Sequence, residues 1–270
     1  MPRPKTARPG PVIGVVHLLP LPGSPGYGGS MERILARAVG DARAYAKGGA
    51  HAVLVENHGD VPFFKEALPA ETVAALACAA AAVRAAVDLP LGVNALRNDA
   101  RAALGVAAAA GASFVRVNVL AGAYATDQGI VEGRAAELLR VRRLLGADVG
   151  ILADVHVKHA TPLRGGAIGD AVRDLSFRAG ADGVIVSGLS TGAPTSLADL
   201  RAVRAALPRA FLLAGSGATE ATVREILAVA DAVIVGTALE RGGRTGAPVD
   251  AARVARFTRA AKGAARARGR

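Results

Sequence analysis

Eight short runs rich in β-branched residues alternate with eight Ala/Leu/Arg-rich amphipathic segments along the 270 residues, and this alternation is what parallel strands joined by helical crossovers look like in sequence. Strands are expected at Val12–His17, Ala52–Glu56, Leu91–Asn94, Ser113–Asn118, Val149–Val157, Gly183–Ser187, Phe211–Ala214 and Ala232–Gly236. Helices are expected to begin near Ser30, Pro69, Asn98, Val131, Gly166, Thr195, Ala218 and Pro248. Ser30, Asn98 and Thr219 are capping residue types, and Pro69 and Pro248 suit the approach to a first turn. Eight units in one chain favour closure into a ring over a doubly wound sheet, and one such ring takes roughly 250 residues. The reading is therefore a single α/β domain, a (β/α)8 TIM barrel of the phosphate-binding type over residues 12–262. A flexible N-terminal segment (1–11) and a basic C-terminal tail (263–270) are expected to flank it.

Half the residues are apolar (51%), ample for one large core. No apolar run reaches the roughly 20 residues that span a bilayer, and Met1–Pro11 has no signal-peptide core, so a cytoplasmic protein is expected. Cys78 is the single cysteine, which excludes an intrachain disulfide and a cysteine-built metal cluster. Nearly all of the net charge of +11 sits at the ends: Arg3, Lys5 and Arg8 at one, Arg253, Arg256, Arg259, Lys262, Arg266, Arg268 and Arg270 at the other. The plain reading is a solvated tail, with peripheral contact to an anionic membrane surface as the functional one. With three Tyr and six Phe, the aromatic–basic interleaving of a nucleic-acid surface is missing, and no nucleic acid is expected.

In a barrel of this kind the residues at the carboxyl ends of the strands form the mouth where ligands bind. Here those ends are polar. The first carries His17, the second Glu56 and Asn57, the third Asn94, the fourth Arg116 and Asn118 with Asp127 in the loop beyond, and the fifth Asp154, His156 and Lys158. Side chains alternate along a strand, so Asp154, His156 and Lys158 are expected on one face, inward, with Val155 and Val157 towards the helices. His17, Glu56, Asp154, His156 and Lys158 are the candidate catalytic residues; Asn57, Asn94, Arg116, Asn118, Asp127 and Ser187 are candidates for holding substrate. The alternative for the charged members is a purely structural ion-pair network.

Ala-Gly-Ser-Gly (Ala214–Gly217) follows the seventh strand and Val-Gly-Thr-Ala (Val235–Ala238) the eighth. Glycines let an anion approach backbone N–H groups, and hydroxyls add donors, so Gly215, Ser216, Gly217, Gly236 and Thr237 are expected to bind phosphate. Gly188, in the Ser187–Gly192 loop after the sixth strand, is expected to add a further contact or a lid. No cofactor is firmly expected. A divalent metal held by Glu56, Asp154 and His156, with His17 nearby, is the minority option, since no compact ligand motif occurs.

These residues lie in ordered motifs: Ile13–Pro25 (IGVVHLLPLPGSP), Val55–Phe63 (VENHGDVPF), Gly92–Asp99 (GVNALRND), Phe114–Asn118 (FVRVN), Thr126–Gly129 (TDQG) and Ala153–Ala160 (ADVHVKHA), followed by the two glycine loops. On them the chain resembles the BtpA family (BtpA/SgcQ), named after a photosystem I biogenesis protein, over about Val12–Ala260. The resemblance implies a phosphate-binding barrel akin to isomerases and aldolases, with some members looking like parts of sugar-utilisation systems. The expected activity is isomerase- or lyase-like proton transfer, or carbon–carbon rearrangement, beside the carbonyl of a small phosphorylated sugar or nucleoside-derived compound. Asp154 or Glu56 would be the base and His156 or His17 the acid. Lys158 is expected to stay charged beside Asp154 rather than form a Schiff base. A homo-oligomer is expected. The rival expectation, from the family name and the basic tail, is a non-catalytic assembly factor for a membrane complex.

Overall fold

A computed structural model describes residues 8–188 and 195–268. The first seven residues of the segment expected to be flexible, and positions 189–192 of the loop expected to act as a lid, lie outside the described residues. In chain order the elements are β1 (Val12–His17), α1 (Met31–Lys47), β2 (Ala52–Glu56), α2 (Ala70–Ala86), β3 (Leu91–Asn94), α3 (Ala100–Ala110), β4 (Phe114–Val117), β5 (Ala123–Thr126), β6 (Gly129–Glu132) and α4 (Ala135–Leu144). They continue with β7 (Gly150–Val155), β8 (Ala160–Pro162), α5 (Ile168–Arg173), β9 (Gly183–Val186), α6 (Leu197–Ala206), β10 (Phe211–Ala214), α7 (Val223–Val229), β11 (Ala232–Val235) and α8 (Ala251–Arg268). The eight strands β1-β2-β3-β4-β7-β9-β10-β11 close into an all-parallel barrel, each adjacent pair joined by backbone hydrogen bonds. The fold is the TIM barrel.

Strand alternation sorts the side chains into two cores. Ile13, Val15, Ala52, Leu54, Phe114, Leu152, Ile185, Phe211, Leu213, Ala232 and Ile234 fill the barrel interior. Residues of the opposite parity, such as Val16, Val55, Val115, Val186 and Val235, pack against the helices. Gly92 makes room for the interior: a Cβ there would lie 2.2 Å from the Phe114 ring. Ser30 caps α1 through the Arg33 N–H (3.2 Å) and Ser196 caps α6 through the Asp199 N–H (3.1 Å). The α3 cap is Asp99, bonded to the Ala102 N–H at 2.8 Å, whereas Asn98 clamps the Val119 backbone at both N–H and C=O. Gly111 ends α3 at φ 66°, a left-handed position glycine takes without strain.

The helix expected near Val131 starts later. Residues 123–132 instead form an antiparallel hairpin, β5–β6, joined on its other edge by β8. Tyr124 and Val131 pack beneath it against Val119 and Val157, so the apolar period there is that of a half-buried strand. Helix α8 continues through position 263, where the tail was expected to begin. Among the described residues no helix is long and apolar enough to cross a membrane.

Candidate active site at the barrel mouth

The inward parity that is apolar at mid-barrel turns polar at the carboxyl ends. Register sets His17 beside Glu56, and Glu56 beside Asn94, in one row of the rim. Arg116 stands two residues above Phe114 on β4, and Asp154 two above Leu152 on β7. Together they build a buried charged layer. Arg116 Nε and Nη2 donate to the two oxygens of Asp154, both at 2.9 Å, and Ser187 Oγ donates to Asp154 Oδ1 at 2.5 Å. Glu56 Oε2 accepts from Asn94 Nδ2 at 2.6 Å and lies 3.9 Å from Arg116 Nη1.

Burial alone would raise the Glu56 pKa, but the cations Lys158 and Arg116, with His17 and His58, outweigh it and bring it down to about 2. Arg116 is lowered by burial and raised further by Asp154 and Glu56, so it stays charged. Because the folded pKa of Glu56 lies below its ordinary value of 4.5, its share of stability is full above pH 4.5 and is lost as pH falls towards 2. Glu56→Gln is accordingly expected to unfold at lower urea than wild type at pH 7, with the gap narrowing from pH 5 to 2.5. A constant gap would mean that Glu56 is not held ionised by this layer.

Above the charged layer lies a pocket of about 160 Å³ lined by His17, Glu56, Arg116, Lys158, the residues 215–219 after β10 and the residues 234–238 through the end of β11. The two glycine loops come close to one candidate for holding substrate and one catalytic candidate. A Cβ on Gly215 would sit 2.5 Å from Ser187 Oγ, and one on Gly236 2.5 Å from His17 Cε1. No hydrogen bond occupies the Gly217 and Ala218 N–H groups among the described residues. Ser216 Oγ accepts from the Gly188 N–H at 2.9 Å, so that amide, expected to meet phosphate, is already used within the protein. Thr237 Oγ1 shares a hydrogen bond with Thr245 Oγ1 at 2.9 Å.

His17 Nδ1 is 2.7 Å from Oε1 of Glu240, whose Oε2 accepts from the Gly246 N–H at 2.9 Å. The ring of His58 lies 4.4 Å from that of His17, centroid to centroid. Burial and then His17 push the His58 pKa below its ordinary value of 6.5. Glu240 was not picked out from the sequence, because it stands five residues beyond the last strand, outside any strand alternation. Its available signal is isolation: it is the one acid between Asp231 and Asp250.

Lys158 reaches the pocket, but not by the expected route. β7 ends at Val155, and His156 has φ 50°, which breaks the alternation. His156 consequently lines a different cavity, between Tyr124, Pro162 and the start of α5, while Val157 turns under the hairpin rather than towards the helices. The segment is tied down by Arg97 Nη2, which donates to the Lys158 carbonyl at 2.6 Å. The Lys158 ammonium makes no hydrogen bond or ion pair among the described residues. The ion pair expected between Lys158 and Asp154 is absent because Arg116 and Ser187 occupy that carboxylate.

Three other candidates are also engaged elsewhere or stand apart. Asn57 spends its amide on Asp60 (3.0 Å) and the Leu96 backbone (2.7 and 3.2 Å), clipping two loops together. Asp127 occupies the exposed hairpin turn, accepting from Gln128 Nε2 at 2.6 Å. Asn118, 2% exposed, has neither amide atom hydrogen-bonded, a cost of about 1–3 kcal/mol for each buried group left unpaired. For the metal option, Asp154 is bonded to Arg116 and His156 faces another cavity; among the described residues no group of three or more His, Cys, Asp or Glu is arranged to hold a metal.

The barrel matches solved structures at low sequence identity. Thiamine phosphate pyrophosphorylase from Pyrococcus furiosus superposes with a TM-score of 0.61 at 14% identity, over 96% of this chain and 98% of that one. Phosphoribosyl anthranilate isomerase from Thermus thermophilus gives 0.56 at 15%, over 93% and 98%. In sequence, the photosystem I biogenesis protein BtpA of Synechocystis is 46% identical over 250 residues, 93% of this chain and 87% of that protein. The BtpA family model matches residues 8–263, and the chain belongs to the BtpA family.

Proposed function

We propose that the protein is an enzyme acting on a small phosphorylated carbonyl compound, sugar- or nucleoside-derived, by isomerase- or lyase-like chemistry beside the carbonyl. One observation carries the reading: a single pocket brings His17, which Glu240 holds from behind, and an unpaired lysine together with two glycine loops. Phosphorylated compounds in the names of two structural neighbours of the same fold are consistent with it.

In this reading His17 moves the proton. Glu240 accepts the Nδ1 hydrogen and leaves Nε2 as the group that acts on substrate. Glu56 stays ionised and holds positive charge at the pocket, which makes it a poor base. Asp154, with both oxygens engaged, is a supporting residue for Arg116 rather than the base. The unpartnered Asn118 amide is the group suited to a substrate oxygen. The amides of Gly217 and Ala218 take the phosphate, together with the hydroxyl of Thr237. Self-association belongs to the reading as well and is measured by light scattering.

A thermal-shift panel of sugar phosphates beside their unphosphorylated parents tests it. A ligand at a hundred times its Kd stabilises by about 2.7 kcal/mol, roughly 5–10 °C for a chain of this size. Phosphorylated members should give such shifts; shifts from the parents alone would sink the phosphate assignment.

The Synechocystis relative's name favours a second reading, a membrane-complex assembly factor. It predicts salt-sensitive binding to anionic vesicles that disappears when 262–270 are deleted. Vesicle binding indifferent to that deletion would count against it, and this reading leaves the unpaired lysine and the His17–Glu240 pair without a task.

A further inference from the structure

We infer that Lys158 is a covalent residue, whose amine condenses with the carbonyl of the bound phosphorylated compound to form a Schiff base; the inference rests on the proposed function and names the chemistry of the same pocket.

Three features carry it. Lys47, Lys65 and Lys262 are exposed, and Lys5 lies outside the described residues; Lys158 is the lysine that the fold withdraws from solvent. It lines the pocket shared by the two glycine loops and His17. Neither neighbouring carboxylate is hydrogen-bonded to its ammonium: Asp154 is held by Arg116 and Ser187, and Glu56 Oε2 by Asn94. Burial, and then the Arg116 charge, push the Lys158 pKa down against the pull of Glu56 and Asp154, so more of the amine is neutral than in an exposed lysine.

The step balances with one proton taken from solvent. The neutral Nζ lone pair attacks the carbonyl carbon, and the C=O π pair moves to oxygen. His17 carries the proton that Nζ then gives up to that oxygen, which yields the neutral carbinolamine; a second proton, drawn from solvent and passed by His17 to the hydroxyl, lets it leave as water as the nitrogen pair forms the protonated C=N bond. A C–H or C–C bond on the neighbouring carbon can then break with its electron pair flowing into that cationic imine, which is the isomerase or lyase outcome.

Pyridoxal 5′-phosphate, an aldehyde carrying a phosphate, is the probe. The full chain is incubated with it at low micromolar concentration, reduced with borohydride and mapped by peptide mass, with and without millimolar orthophosphate. Reduction of an imine leaves a stable secondary amine. The expected result is a pyridoxyl group on Lys158 in at least several-fold excess over Lys47, Lys65 and Lys262, lost in Lys158→Arg and suppressed by orthophosphate. Labelling confined to the exposed lysines overturns the inference. If orthophosphate raises the thermal midpoint while Lys158 stays unlabelled, the phosphate pocket stands and the covalent role falls. Labelling of Lys158 that orthophosphate does not suppress supports the reactive amine and counts against the phosphate pocket. Circular dichroism of Lys158→Arg confirms that lost label is not lost fold.

Discussion

Arg116→Met is expected to be among the most destabilising single changes in the molecule, lowering stability by about 3–5 kcal/mol and the thermal midpoint by roughly 10 °C or more. The guanidinium is 2% exposed and sits between two carboxylates that are also buried, Asp154 in bidentate contact and Glu56 at 3.9 Å. Methionine fills most of the volume and removes the charge, so two desolvated anions are left facing each other inside the barrel. Their response is to take up protons, and the variant should recover part of its loss as pH falls towards 5, opposite to the acid response of the wild type. Calorimetry at pH 7 and pH 5 reads both. A loss under 1 kcal/mol at pH 7, with no recovery on acidification, would show that water reaches the layer and that the ion pairs contribute little.

Strand ends and strand parity made most of the site legible in the sequence. His17, Glu56 and Asn94 fall at the mouth because each ends a strand, and Arg116 and Asp154 because they share the inward parity of Phe114 and Leu152 two positions earlier. The argument failed where the chain stops being a strand. At His156 the backbone takes φ 50°, and from there parity no longer says where a side chain goes; Lys158 arrives at the pocket through a loop held by Arg97. Glu240 and Asn57 show the same limit from two sides. Glu240 reaches His17 across 223 residues of sequence, a distance no local pattern encodes. Asn57 sits at a strand end but is consumed by its neighbours Asp60 and Leu96. Hydrogen-bond bookkeeping of this kind depends on loop positions that apolar periodicity does not fix. The hairpin at 123–132 falls where a loop carrying Asp127, and then a helix from Val131, are expected from the sequence: its two buried residues, Tyr124 and Val131, stand on separate four-residue strands, too short for a strand period to show.

Anion binding at the two glycine loops is the claim on which the functional account turns, and a negative charge added there is expected to have the second large effect. Thr237 is half-buried at the start of the turn after β11 and lines the pocket with Lys158 and His17. Thr237→Asp adds a carboxylate of similar size, and the Thr245 hydroxyl, 2.9 Å from Thr237 Oγ1, can donate to it, so the fold has little reason to change. Two like charges about 4 Å apart repel by about 4 kcal/mol at an effective dielectric constant near 20; with part of that screened by solvent, the loss of affinity for a phosphorylated ligand should be about a hundredfold. Thr237→Val removes only the hydroxyl and should cost about tenfold or less. The direct measurement is isothermal titration of D-ribose 5-phosphate and of D-ribose into wild type, Thr237→Val and Thr237→Asp. The account predicts that wild type binds the phosphorylated sugar in clear preference to ribose and that Thr237→Asp abolishes the preference. Equal binding of the two sugars by wild type, or a Thr237→Asp protein that holds ribose 5-phosphate as tightly as wild type, would contradict it.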